Sequence, residues 1–259
     1  MRLIDDLKKY NEYTIYSAKA ELKSEVVTSY LDWIWWILEP LLTMVIYVIV
    51  FGYIFKSSEP NFPVFLFIGI IMWNFFSKVI NSSTTLVKSN RGIISKVYLP
   101  KYLLLVSNMY KNGYKLLFGL LVELVMMVVF RVKISPCILM AIPIFAVFFL
   151  FCFAVSTILL HFGVYVNDLS YVVSILLKFV MYLTGVFYSI ENRIPGTAGM
   201  ILERCNPVAF LISSMRKVMI YREMPSLLWL GIWFVFSVIL SVIGIRLIYK
   251  NENSYVKVI

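Results

Sequence analysis

Apolar residues dominate the chain in long runs, and the breaks between the runs define its elements. The first run, Trp33 to Phe55, is long enough to cross a bilayer, with Glu39-Pro40 interrupting it. Lys56 and Ser57-Ser58-Glu59-Pro60-Asn61 end it. A second run extends from Val64 to about Val87, diluted by Lys78 and by Asn81-Ser82-Ser83-Thr84-Thr85. A polar, basic segment from Lys88 to Lys101 follows. The third run is cleanest from Leu116 to Phe130 and is expected to start near Leu103, with Lys111 and Lys115 reaching back to the interface along their alkyl stems. Arg131 to Pro136 reads as a tight turn before the fourth run, Cys137 to Leu160. Asn167-Asp168 precedes the fifth, Tyr171 to Tyr188, which contains Lys178. A long connection from Ser189 to Pro225 leads to the sixth, Leu227 to Tyr249. The pattern therefore predicts an all-α integral membrane protein with six transmembrane helices.

Two further segments are helical in period but too polar to cross. Between Asn11 and Leu31, the residues Ile15, Ala18, Leu22 and Val26 form an apolar stripe flanked by Lys19 and Lys23. This is the pattern of an amphipathic helix lying in the interface, and Trp33, Trp35 and Trp36 after it suit the headgroup level. Its role is open between a passive anchor and a gate or lipid-headgroup sensor. The expected organisation is a cytoplasmic segment with this helix over residues 1–32 and one transmembrane domain over residues 33–259. In the long connection, Asn206-Pro207 is a helix start, with Val208, Leu211, Ile212, Met215 and Met219 on one face and Ser213, Ser214, Arg216 and Lys217 on the other. Together with Ile201-Leu202 this predicts an outer re-entrant helical segment between spans 5 and 6.

Composition agrees with the pattern. The 259 residues are 61% hydrophobic and 15% charged, which excludes an ordinary soluble domain and leaves no room for an ATPase or glycosyltransferase domain beside six spans. The net charge of +10 sits at the ends of apolar runs, so it records orientation and lipid contact rather than nucleic-acid binding. Lys and Arg in the N-terminal segment, the second-to-third connection and the tail predict cytoplasmic termini, although Arg193, Arg204, Arg216, Lys217 and Arg222 of the last long connection then lie outside, against that pattern. The first thirty residues show no h-region, so no cleavable leader is expected.

Candidate chemistry is sparse. Cys137, Cys152 and Cys205 form no CxxC pair, and His161 stands alone, so no metal site is expected. No P-loop, nucleophile elbow or HExxH occurs, and the chain is not expected to be an enzyme. Glu39, Lys78, Glu123 and Lys178 lie within or near spans, where pairing or snorkelling is expected. Tyr47, Phe51, Trp73, Phe76, Tyr182, Phe187 and Tyr188 fall in the first, second and fifth runs. They read either as packing aromatics or as a wall along which sugar rings slide.

Four segments, in order, resemble the membrane permeases of polysaccharide-exporting ABC transporters, the type-2 exporters of lipid-linked O-antigen, teichoic acid and capsular glycans. They are Ser29 to Leu42 with Val50 to Phe55, Asn90 to Lys101, Val164-Tyr165-Val166-Asn167-Asp168-Leu169, and Asn206-Pro207 with Arg216. The resemblance covers nearly the whole chain. It implies a permease homodimer in the bacterial cytoplasmic membrane, two separate ATPase subunits carrying ATP and Mg, and no cofactor in this chain. It also implies that Arg91, Lys96, Val97, Tyr98, Pro100 and Lys101 form the ATPase-coupling segment. Given such an export role, Lys19 and Lys23, beside the interfacial helix, are expected to meet a polyprenyl-diphosphate headgroup on the cytoplasmic side. The alternatives are a type-2 exporter of a drug or small lipid, or an ion-coupled carrier, although no repeated halves are visible.

Overall fold

The computed structural model describes residues 6, 9–26, 32–54, 56, 59–96 and 98–258, with backbone only at 26, 32 and 256–258. Every regular element among them is helical. In chain order they are α1 (Asn11–Val26), α2 (Trp35–Ile54), α3 (Phe62–Ser83), α4 (Leu86–Ser89), α5 (Arg91–Ile94), α6 (Tyr102–Val129), α7 (Ala141–Tyr165), α8 (Leu169–Leu183), α9 (Ile190–Arg193), α10 (Thr197–Cys205), α11 (Pro207–Arg216) and α12 (Leu227–Val258).

From Phe62 to Trp73 helix α3 is apolar around its whole circumference, the signature of a stretch with no face to give to solvent. It is accordingly the centre of the bundle, packed on by α2, α6, α7, α8 and α11, with Phe65, Phe67, Met72 and Val79 buried. The peripheral helices have one buried face and one exposed apolar face, as membrane helices do. α12 lies along α7 and exposes Phe234, Val235 and Ile239.

Five helices among the described residues are long and apolar enough to span: α2, α3, α6, α7 with its preceding turn (Pro136–Tyr165), and α12. The expected fifth run gives instead a helix of 15 residues, about 22 Å long against a hydrocarbon core of about 30 Å. It stops where Gly185 takes φ +67°, a conformation that costs other residues energy, and the chain leaves the helix through Val186 to Ser189. The last helix runs past its expected end at Tyr249. Ile248 and Tyr255 are buried in a second core with Leu99 and Tyr102 to Leu105, and the Tyr255 hydroxyl lies 2.6 Å from His161 Nδ1. This core fixes α4, α5 and residues 98–101 to the end of the bundle.

Candidate functional site

At the end of the bundle that carries α4 and α5, three helices turn polar faces toward one another. α3 contributes Ser77, Lys78, Asn81 and Ser82, α6 contributes Asn108, Lys111, Asn112 and Lys115, and α8 contributes Ser170, Ser174 and Lys178. Each set recurs at helical spacing and so occupies one face. The faces line an open cavity of about 720 Å³, with Trp73, Leu177 and Met181 as its apolar wall and Glu25 of α1 on its lining. Asn108 Nδ2 donates to Ser82 Oγ at 2.6 Å, and Ser174 Oγ lies 3.0 Å from Asn81 Oδ1. The helices are thereby tied together by polar contacts across the cavity wall.

Pairing, one of the two arrangements expected for Lys78, is what the structure shows, and Lys111 and Lys115 are paired as well. Lys111 lies 2.9 Å from Glu21 and 3.6 Å from Glu25, Lys115 pairs with Glu25, and Lys78 lies 3.4 Å from Glu39. The reason is the placement of α1. Its Ala18 and Leu22 are buried and α1 packs on α6, so its apolar stripe covers protein and its acidic flank reaches Lys111 and Lys115. Lys178 has no ion pair among the described residues. Lys19 and Lys23 are exposed and do not line the cavity. Trp33 and Trp35 are exposed, and Trp36 packs against Phe118 with the Lys115 ammonium 5.7 Å from its ring. A neighbouring cavity of about 260 Å³ shares Glu25, Lys78 and Lys115 and adds Trp35, Trp36 and Glu39. Glu123 of α6 is wholly buried and its oxygens have no hydrogen-bond partner among the described residues.

The seven aromatics singled out from the sequence fall into two groups. Phe187 is buried between Tyr47 at 4.5 Å, Phe51 at 5.0 Å in parallel stacking, and Tyr182 at 6.0 Å. The Tyr188 hydroxyl donates to the Tyr182 carbonyl at 2.7 Å. Trp73 and Phe76 lie apart from these, 5.5 Å from each other, with Phe76 stacked on Phe151. Only Trp73 of the seven lines the polar cavity.

At the opposite end, Asn206 caps α11 by accepting from the Val208 and Ala209 amides, ahead of Pro207 in the first turn. Arg216, which periodicity puts on the polar face of the segment, is 4% exposed. Its guanidinium donates to the carbonyls of Phe65 (3.1 Å), Gly185 (2.8 Å) and Val186 (2.7 Å), and sits 3.5 Å over the Phe65 ring. It supplies donors to carbonyls released where α8 ends, which is why a cation is drawn inward. Nearby, Glu59 accepts from Tyr221 and Asn192, both at 2.6 Å, and Lys217 lies 3.5 Å from Glu191 and 3.7 Å from Glu203. Burial pushes the Tyr221 hydroxyl above the usual phenol range.

The segment after α4 splits into two faces. Arg91, Ile93, Lys96 and Tyr98 are exposed, whereas Ile94, Leu99, Pro100 and Lys101 are buried. Val97 lies outside the described residues. Pro100 and Lys101 therefore cannot offer a surface; they anchor one. Lys101 donates to the Leu99 carbonyl at 3.1 Å and lies 4.0 Å from Glu252, and burial lowers its pKa. Lys88 donates to Asn167 Oδ1 at 2.8 Å, linking this region to the turn before α8.

Sequence reasoning passed over the cavity itself. Its signal was available: Asn108, Lys111, Asn112 and Lys115 share one face of the third run, as Ser77, Lys78, Asn81 and Ser82 share one face of the second.

Comparison with known proteins adds the following. A family model described as ABC-2 type transporter matches residues 16–220. The chain is 27% identical over 229 residues to the O-antigen export system permease protein RfbA of Myxococcus xanthus, covering 87% of this chain and 86% of that protein. It is 26% identical over 257 residues to a protein of the same name from Klebsiella pneumoniae, covering 97% and 98%. A stretch of 67 residues is 37% identical to the polysialic acid transport protein KpsM of Escherichia coli, covering 25% of this chain and 26% of that protein.

Proposed function

The chain belongs to the ABC-2 type transporter family, and on that premise we propose that it is the permease subunit of an ATP-driven exporter carrying a polyprenyl-diphosphate-linked polysaccharide across the bacterial cytoplasmic membrane. The observation that carries this reading is the similarity to two O-antigen export permeases over nearly the full length of the chain. Hydrolysis of ATP with Mg belongs to two partner ATPase subunits.

In this reading α8 with the chain that continues it through Val186 to Ser189 is the fifth of six spans, and both termini are cytoplasmic. The end bearing α4, α5 and the polar cavity then faces the cytoplasm, and α9 to α11 form the outer re-entrant segment. The exposed Arg91, Ile93, Lys96 and Tyr98 are the ATPase docking face, held rigid by the core beneath them. A second copy of the permease completes the path, meeting the exposed apolar faces of α2 (Val45, Ile46, Ile49) and α8 (Ile175, Phe179, Tyr182). The cluster of Tyr47, Phe51, Tyr182 and Phe187 borders those faces and offers passing sugars stacking contacts without fixed hydrogen bonds.

The test is loss of function in the host. Removing the chain is expected to abolish surface polysaccharide while its lipid-linked precursor accumulates inside the cell. Normal surface polysaccharide together with loss of resistance to a small lipophilic drug contradicts the reading and favours a drug exporter of the same family.

A further inference from the structure

Lys178 is the lysine of the α3–α6–α8 cavity that has no ion pair among the described residues. It stands at the border between the cavity face of α8 and that helix's exposed apolar flank of Tyr171, Ile175 and Tyr182. An ammonium within a membrane helix is costly and faces a cavity, a partner or a ligand. The other cavity lysines already hold anions. Those on Lys111 and Lys115 come from α1, and the Glu21 and Glu25 side chains are 38% and 39% exposed. The carboxylates are the accessible partners, while Lys111 and Lys115 are 18% and 19% exposed, so an incoming anion can replace a carboxylate on a lysine that stays largely covered.

The chemistry that fits the cavity is narrow. A ligand that takes Lys111 and Lys115 from Glu21 and Glu25 must bring about two negative charges in their place. Lys178 stands on a different helix of the lining from Lys111 and Lys115, so acceptor oxygens on more than one centre suit all three. A diphosphate meets both conditions, and lysine holds phosphate well as a point charge. A lone carboxylate meets neither. The cavity of about 720 Å³ is larger than a diphosphate and leaves room for the group attached to it. The apolar flank beside Lys178 suits a hydrocarbon tail.

We propose that this cavity binds the diphosphate of a lipid-anchored ligand through Lys111, Lys115 and Lys178, in exchange for Glu21 and Glu25 of α1. It deepens the export reading above and rests on it for the lipid source of the phosphate. Filling the cavity removes the ionic hold of α1 on α6 and leaves its apolar contacts through Ala18 and Leu22.

The test is equilibrium binding to the purified permease–ATPase complex in nanodiscs, with geranylgeranyl diphosphate, geranylgeraniol and inorganic pyrophosphate as probes. Lys178→Gln is expected to weaken geranylgeranyl diphosphate about tenfold or more, and Lys178→Arg to retain most of the affinity. Glu25→Gln is expected to tighten binding, because an internal competitor is gone; a purely structural Glu25 gives no such gain. Unchanged affinity in Lys178→Gln, or weaker binding in Glu25→Gln, overturns the proposal. Geranylgeraniol binding as tightly as its diphosphate overturns the phosphoanion site, and pyrophosphate binding as tightly overturns the lipid source. Thermal unfolding of each variant separates lost binding from lost fold. Charge-sensitive binding in a complex that exports no glycan leaves this site standing and overturns the export reading; export with charge-insensitive binding does the reverse.

Discussion

Arg216 joins three elements at the end of the bundle opposite the cavity, and removing its guanidinium has a calculable cost. The Phe65 carbonyl lies within α3, but those of Gly185 and Val186 accept from Arg216 and from no other donor among the described residues. Arg216→Met keeps the length and apolar stem while stranding both carbonyls. At about 1–3 kcal/mol for each buried acceptor left unpaired, the loss is about 2–6 kcal/mol. For a chain of this size that lowers the unfolding midpoint by roughly 5–20 °C. Intrinsic tryptophan fluorescence of the detergent-purified permease during heating measures it. Arg216→Lys is expected to fall between wild type and Met, since one ammonium cannot reach both carbonyls in the geometry of the guanidinium fork. Gly69→Ala provides an independent check, because a methyl group there meets Arg216 Nη2 at 2.5 Å. A midpoint in Arg216→Met within about 1 °C of wild type refutes the assignment of Arg216 as the staple.

Further outcomes follow from single contacts. Gly185→Ala places a Cβ 2.7 Å from Ile190 Cγ1 on a backbone at φ +67°, so it should cost about 1–2 kcal/mol or more and show as a lowered unfolding midpoint. Ile93→Glu puts a charge on the exposed face of α5 and is expected to abolish copurification of the ATPase while the permease still reaches the membrane in normal amount. Phe187→Ala removes the ring at the centre of the Tyr47, Phe51 and Tyr182 cluster. It should destabilise by about 3–5 kcal/mol and lower glycan export by more than an equally destabilising change at Phe148, which is buried away from that cluster.

Most of the helical framework was legible because a bilayer-spanning helix needs a long apolar run, and periodicity reveals it. Trp35–Ile54, Phe62–Ser83, Tyr102–Val129 and Pro136–Tyr165 fall where the runs place them. Two ends were not legible. α8 stops early because Gly185 adopts a left-handed turn, which hydropathy cannot register. α12 continues because Tyr255 packs into a core made by residues far away in sequence. The same limit governs the site. Periodicity placed Arg216 on a polar face, but two free carbonyls at the end of α8 drew it inside. It could mark Lys111, Lys115 and Lys178 as unusual, yet only the folded arrangement brings them to one cavity and sets Glu21 and Glu25 against them.

The most direct measurement of the central claim is transport by the purified complex. The permease and its ATPase are reconstituted into proteoliposomes with a lipid-linked glycan, and the glycan reaching the far leaflet is followed by its accessibility to an impermeant glycosidase. Transfer that requires ATP and Mg, and that is lost in Ile93→Glu, is the predicted result. ATP hydrolysis that proceeds with no transfer of the lipid-linked glycan contradicts it.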